Sequence, residues 1–86
     1  MRNRSRADII AQILEAAKNG ASLTRIMYHS FTSYAQSRTY LKLLIESGLL
    51  LYDKRNNSYK TSKKGVRFLR AYNELSEFDI AQEYIA

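Results

Sequence analysis

With 86 residues the chain has room for one small domain and not for two. It has no cysteine, which excludes disulfides and thiolate metal sites and fits a reducing compartment, and no apolar run approaches the ~20 residues of a membrane span. The net charge is +6, and it is segregated: residues 1–70 hold all 14 Lys and Arg against four acids, a balance of +10, whereas residues 71–86 hold four acids and no base. A basic body implies a polyanionic partner, and an acidic tail implies a separate task. Apolar and aromatic residues make up 45% of the chain, enough to fold, and a domain this small gains from oligomerisation.

Residues 1–6, MRNRSR, carry three arginines with no apolar anchor and read as a basic arm of the kind that touches phosphates. Ser5 and Asp8 have the spacing of a capping box. A first helix over about Arg6 to Lys18 follows, with Ile9, Ile10, Ile13, Leu14 and Ala17 as its apolar stripe. Asn19-Gly20 ends it, and Ala21-Ser22 suits a stub of strand. The second helix opens at Ser22 or Leu23 and runs to about Ser30, with Leu23, Ile26 and Met27 inward and Arg25 and His29 outward. Phe31-Thr32 is a tight joint with an apolar residue inside the turn.

Ser33 N-caps the third helix and Gly48 stops it, the latter because glycine takes the left-handed conformation without steric cost. Tyr34, Ser37, Leu41, Leu44 and Ile45 fall on one face at helical spacing. Ala35, Gln36, Arg38, Thr39 and Lys42 fall on the other, which carries no acid before Glu46. This polar face has the chemistry of a DNA recognition helix.

Beyond Gly48, Leu49 to Asp53 and Ser58 to Thr61 are β-prone. Lys54 to Asn57 suits the hairpin tip between them, because Asn tolerates left-handed geometry. Ser62 caps a last helix to about Tyr84, with Gly65 in its first turn allowing close packing. That helix has two apolar lines. Val66, Leu69 and Tyr72 suit packing on the domain. Phe68, Ala71, Leu75, Phe78, Gln82 and Ile85 alternate spacings of three and four, as in a coiled coil, and mark a dimer interface. The seven tyrosines follow helix and strand periods and are expected in core and interface packing. Tyr34 is the exception, with its hydroxyl in reach of a phosphate.

The order helix, strand stub, helix, turn, helix, hairpin, long helix is that of a winged helix-turn-helix, mainly α with a small β-hairpin and a C-terminal dimerisation helix. The parts are a basic arm (1–6), a DNA-binding domain (7–65) and a dimerisation helix (66–86). The expected contacts to double-stranded DNA are Ser33, Tyr34, Gln36, Arg38, Thr39 and Lys42 from the third helix and Lys54, Arg55 and Lys60 from the wing. Phe68, Ala71, Leu75, Phe78 and Ile85 form the expected homodimer seam.

The runs LTRIMYHSFTSY, LLIESGLL and YKTSKKG resemble the small winged-helix DNA-binding proteins of archaea and of archaeal viruses and plasmids. Some of these dimerise through a C-terminal coiled coil. The resemblance covers roughly residues 7–75. It implies the winged-helix fold and binding to DNA, and says nothing of a target sequence. Ser37 departs from the leucine that is usual in the family, so a looser core is expected there.

Catalysis has little support. His29 is a lone histidine, and no nucleophile-base-acid set, metal-ligand cluster or phosphate-binding glycine loop is present. No cofactor, metal, small-molecule ligand or membrane partner is expected. A cytoplasmic, nucleoid-associated regulator of transcription is the reading the residues favour. A sequence-tolerant architectural chromatin protein and a winged-helix protein-interaction module are the alternatives.

Overall fold

The structure, a computed structural model, describes residues 4–85 and the side chains of residues 4–76. Each helix begins where the sequence supplies a cap. α1 (Arg6–Ala16) opens on the expected capping box: Ser5 Oγ accepts from Asp8 N at 3.1 Å, and Ser5 N donates to Asp8 Oδ2 at 2.9 Å. The helix stops two residues short of Lys18. The Ala17 carbonyl accepts instead from Gly20 N and Thr61 N, both at 3.0 Å, and Gly20 turns the chain at φ +96°. Ala21 then exchanges two 2.8 Å backbone hydrogen bonds with Tyr59, so the expected strand stub exists as one bridged residue.

α2 (Leu23–Ser30) is capped by Ser22, whose Oγ accepts from Arg25 N at 3.2 Å. Phe31 closes it in the left-handed region at φ 52°, ψ 45°. α3 (Tyr34–Glu46) has a full capping box from Ser33 and Gln36. Its end is a Schellman turn: Gly48, at φ +76°, donates to Ile45 O at 3.0 Å, and Leu49 N donates to Leu44 O at 2.9 Å. β1 (Leu50–Asp53) and β2 (Ser58–Thr61) pair antiparallel, Leu50 opposite Thr61 and Asp53 opposite Ser58. Asn57 takes the left-handed position of the connecting turn at φ 49°. α4 (Lys63–Ile85) starts on Ser62, whose Oγ accepts from Gly65 N at 3.1 Å, and is continuous through 76–79.

The core lies where α1 crosses α2 and α4. Ile13, Leu14, Ile26, Leu44 and Leu50 are fully buried, joined by Leu41, Leu69 and Ala17. Burial of each large aliphatic side chain is worth ~1.5–3 kcal/mol. β2 is fastened to α1 by Thr61, whose Oγ1 donates to the Leu14 carbonyl at 2.6 Å in the interior. Gly65 is required by close approach. A Cβ there would lie 2.3 Å from Leu49 O and 2.6 Å from Thr61 Cγ2.

Three expectations are corrected. Tyr34 and Ile45 are not on the buried face of α3, being 59% and 39% exposed; the buried arc is Ser37, Leu41 and Leu44. Tyr34 sits in the first turn of α3, and Ile45 lines an open groove toward β2. The Ser37 site is not loose, because its hydroxyl is fully buried 2.6 Å from Thr32 Oγ1. The tyrosines are not all packed inside: Tyr28 is 78% exposed, and Tyr52 is exposed at the hairpin.

Candidate nucleic-acid interface

The polar face of α3 stands clear of the core. Gln36, Arg38, Thr39 and Lys42 are all exposed. Two of them are already engaged within their own helix. Gln36 Oε1 accepts from Ser33 N at 3.0 Å, so its carbonyl oxygen is committed to the cap, leaving its amide N–H groups for an outside acceptor. Thr39 Oγ1 donates to Ala35 O at 3.1 Å, leaving only lone pairs outward. Ser33 Oγ likewise accepts from Gln36 N at 3.1 Å. Arg38 and Lys42 have no such tie. The Arg38 guanidinium rests 6.0 Å from the centre of the Tyr34 ring, within cation–π range.

Arg38, Thr39 and Lys42 share one open groove of about 510 Å³ with Leu41, Ile45, Glu46 and Tyr59, formed between α3 and β2. The wing cations Lys54, Arg55 and Lys60 do not share it. Side chains alternate along a strand, so Lys60, opposite Leu51, faces away from Tyr59. Lys60 lines a second concavity with Leu51, Tyr52, Asp53, Lys54 and Arg55. The expected interface residues therefore form two clusters, one on α3 and one on the outer face of the wing.

The wing tip is held by its own side chains. Asp53 Oδ1 accepts from Arg55 N at 2.9 Å, and Asp53 Oδ2 accepts from Asn56 Nδ2 at 2.8 Å. The Tyr52 hydroxyl donates to Asn57 Oδ1, and the Tyr52 and Tyr59 rings pack with centroids 5.0 Å apart. These contacts fix the backbone of the tip and leave the Lys54 and Arg55 side chains exposed. Lys64, which follows the wing, has a structural task. Its Nζ donates to Ser47 O at 2.9 Å, where a cation complements the helix C-terminus.

Sequence reasoning missed the corner between α2 and α3. Arg4, assigned to the arm, reaches across to it. Its Nη1 donates to Ser30 O and to Gln12 Oε1, and its Nη2 donates to Phe31 O at 3.1 Å. Tyr28 and Phe31 are each 78% exposed, and Tyr34, which opens α3, is 59% exposed. The available signal was Phe31 itself, a bulky residue in a joint where glycine or asparagine turns the chain more easily.

On α4, Leu69 of the first apolar line is buried and Tyr72 packs half-buried against the core, while Val66 is half-buried outside that cluster. The Tyr72 hydroxyl donates to Asp8 Oδ1. On the second line Phe68 is half-buried against the core, Ala71 is exposed and Leu75 is 64% exposed. Phe78 and Ile85 lie outside the described side chains. Among the described residues no group of three His, Asp or Glu could hold a metal ion, and no helix is long and apolar enough to cross a membrane.

A helix-turn-helix whose second helix shows an unburied basic face, followed by a basic hairpin fastened to the first helix, defines a winged helix-turn-helix. The chain belongs to that family: the winged helix-turn-helix family model matches residues 3–82. Among solved structures it is similar to Sso10a-2, described as a DNA-binding protein from Sulfolobus solfataricus, with a TM-score of 0.87. The match covers 95% of this chain and 88% of that one at 21% identity, which establishes a shared fold. No curated protein matches the chain.

Proposed function

We propose that this protein binds double-stranded DNA as a homodimer and regulates transcription, with α3 in the major groove and the wing, residues 49–61, on the backbone. The carrying observation is that α2, the turn and α3 contain no carboxylate between Glu15 and Glu46, while Arg38 and Lys42 stand exposed on α3. Two exposed cations that make no hydrogen bond within α3 suit a phosphate backbone. The DNA-binding description of Sso10a-2 supports the same reading. Arg38 is the candidate for a guanine edge. Lys42, Lys54, Arg55 and Lys60 are the candidates for phosphates, and no catalytic role is assigned. Dimerisation through α4 is supported by Leu75, an apolar residue left 64% exposed.

A second reading, the sequence-tolerant architectural protein, is favoured by the internal engagement of Gln36 and Thr39, which reduces the side chains free to read bases. Titration of labelled duplex against unlabelled competitors separates the two. A regulator prefers its site over random DNA by ~10³ or more; an architectural protein shows no such margin. Failure to retain any duplex at low salt overturns both. Sedimentation of wild type against Leu75→Asp tests the dimer, which a monomeric wild type at high micromolar concentration rules out.

A further inference from the structure

The corner between α2 and α3 is strained in a way that its own packing does not require. Phe31 is held at φ 52°, where a bulky L-residue is a genuine outlier. The ring gains nothing from burial, being 78% exposed. The backbone there is fixed from several sides. The Phe31 and Thr32 amides both donate to Met27 O, the latter at 3.3 Å, and Arg4 donates to the carbonyls of Ser30 and Phe31. Thr32 Oγ1 lies in the interior, 2.8 Å from Ser30 Oγ. Asparagine would make this turn with less strain, so the packing of the domain does not account for the phenyl ring.

Its surroundings indicate what does. Tyr28 and Tyr34, three residues before and three after Phe31 in the chain, are also exposed, at 78% and 59%. The Arg4 guanidinium lies against the turn, Arg38 lies over the Tyr34 ring, and His29 meets the Tyr28 ring edge-on at 6.1 Å. The carboxylate-free stretch spans this corner. Aromatic faces beside guanidinium groups on a cationic surface are the chemistry that stacks on nucleic-acid bases along an anionic backbone. A second copy of the chain is a poor occupant, because a self-complementary contact would set these cations against themselves.

We propose that the Tyr28–Phe31–Tyr34 corner binds unpaired or unstacked DNA bases, with Phe31 stacking on a base and Arg4 holding the turn that presents it. This rests on the DNA-binding reading and specifies its substrate: a duplex interrupted by a bulge is preferred to the same duplex intact.

The test compares fluorescence anisotropy on an intact duplex and on that duplex with a three-base bulge. Wild type is expected to favour the bulge by about tenfold, the value of stacking on one base. Phe31→Asn is expected to bring the two duplexes to equal affinity and to raise the melting temperature, a combination that a purely structural role cannot give. Phe31→Trp, the sole tryptophan in the chain, is expected to keep the preference and to be quenched by the bulged duplex alone. Equal binding of both duplexes by wild type overturns the corner's role and leaves duplex binding intact, whereas binding of neither overturns the DNA reading itself. A Phe31→Asn protein that keeps the preference also overturns the proposal. So does one whose only change is its sedimentation, which would make the corner a protein contact.

Discussion

Ser37 Oγ lies 2.6 Å from Thr32 Oγ1, and this contact is the last link of a chain of three buried hydroxyls with a fixed direction. Ser30 gives its one proton to the Ile26 carbonyl at 2.6 Å. In the 2.8 Å contact between Ser30 and Thr32, Thr32 must therefore donate, and Ser37 must in turn donate to Thr32. Every proton has an acceptor, and no buried side-chain polar atom among the described residues is left without a partner.

The direction ranks the substitutions. Ser37→Ala removes a donor and leaves both other protons placed, so it costs ~1 kcal/mol. Ser30→Ala strands a buried proton whichever way Thr32 turns, and costs ~1–3 kcal/mol. Ser37→Leu forces a larger apolar side chain into a filled site, at ~1–3 kcal/mol. Urea unfolding of the three variants gives the order. A Ser37→Leu protein more stable than wild type would show that the site can open.

Gly65→Ala is expected to destabilise more than an ordinary surface change, by ~1–3 kcal/mol or more, because the obstructing Leu49 O is backbone and cannot swing aside. Thermal unfolding measures this. A neutral result would mean that the start of α4 can slide over the hairpin.

Arg4→Ala is expected to cost ~0.5–1.5 kcal/mol through the lost hydrogen bonds at the end of α2. Arg4→Lys recovers little, because one ammonium cannot reproduce the planar fork on two carbonyls. Hydrogen exchange should quicken at the Phe31 and Thr32 amides first. Unchanged exchange there would place the Arg4 contact outside the solution structure.

Replacing Lys54 and Arg55 together by Ala is expected to weaken binding to all duplexes alike and to flatten the plot of log K against log salt by ~1–2 units. Both side chains line the concavity of the wing and not the groove of α3, so base preference should not move. A slope equal to that of wild type would put the wing tip away from DNA.

Arg38→Ala is expected to cost ~1–3 kcal/mol on a preferred site and much less on random DNA, with preference lost at one base position. Lys42→Ala should weaken both alike. Binding-site selection with each variant decides. An unchanged selected sequence for Arg38→Ala, at uniformly lower affinity, makes Arg38 a phosphate contact and favours the architectural reading.

The fold was legible because its punctuation is local. Ser5, Ser22, Ser33 and Ser62 cap the four helices, and Gly48 and Asn57 take their left-handed positions as their chemistry predicts. The candidate site was legible only in charge. Which polar groups on α3 were already engaged depended on caps and back-bonds that helical periodicity does not encode. The hydroxyl chain was hidden because Ser30, Thr32 and Ser37 read singly as polar residues, and only their convergence makes them core. The exposed corner was hidden for the opposite reason. An aromatic residue at a joint is assigned inward by hydrophobicity, and here a long-range clamp from Arg4 holds the turn while the ring faces out.

The root of the wing has a mechanical consequence. β2 is fastened at Tyr59 to Ala21 and at Thr61 to Leu14 and Ala17, and Asp53 closes the tip on itself. The hairpin is thus a fixed jaw, and its gap from α3 is set by the end of α1 and not by what enters. A partner that meets both jaws must already have the right width or must deform to reach it. If DNA is that partner, the protein acts as a caliper, sorting sequences by how cheaply their grooves adopt one dimension even where no base is touched.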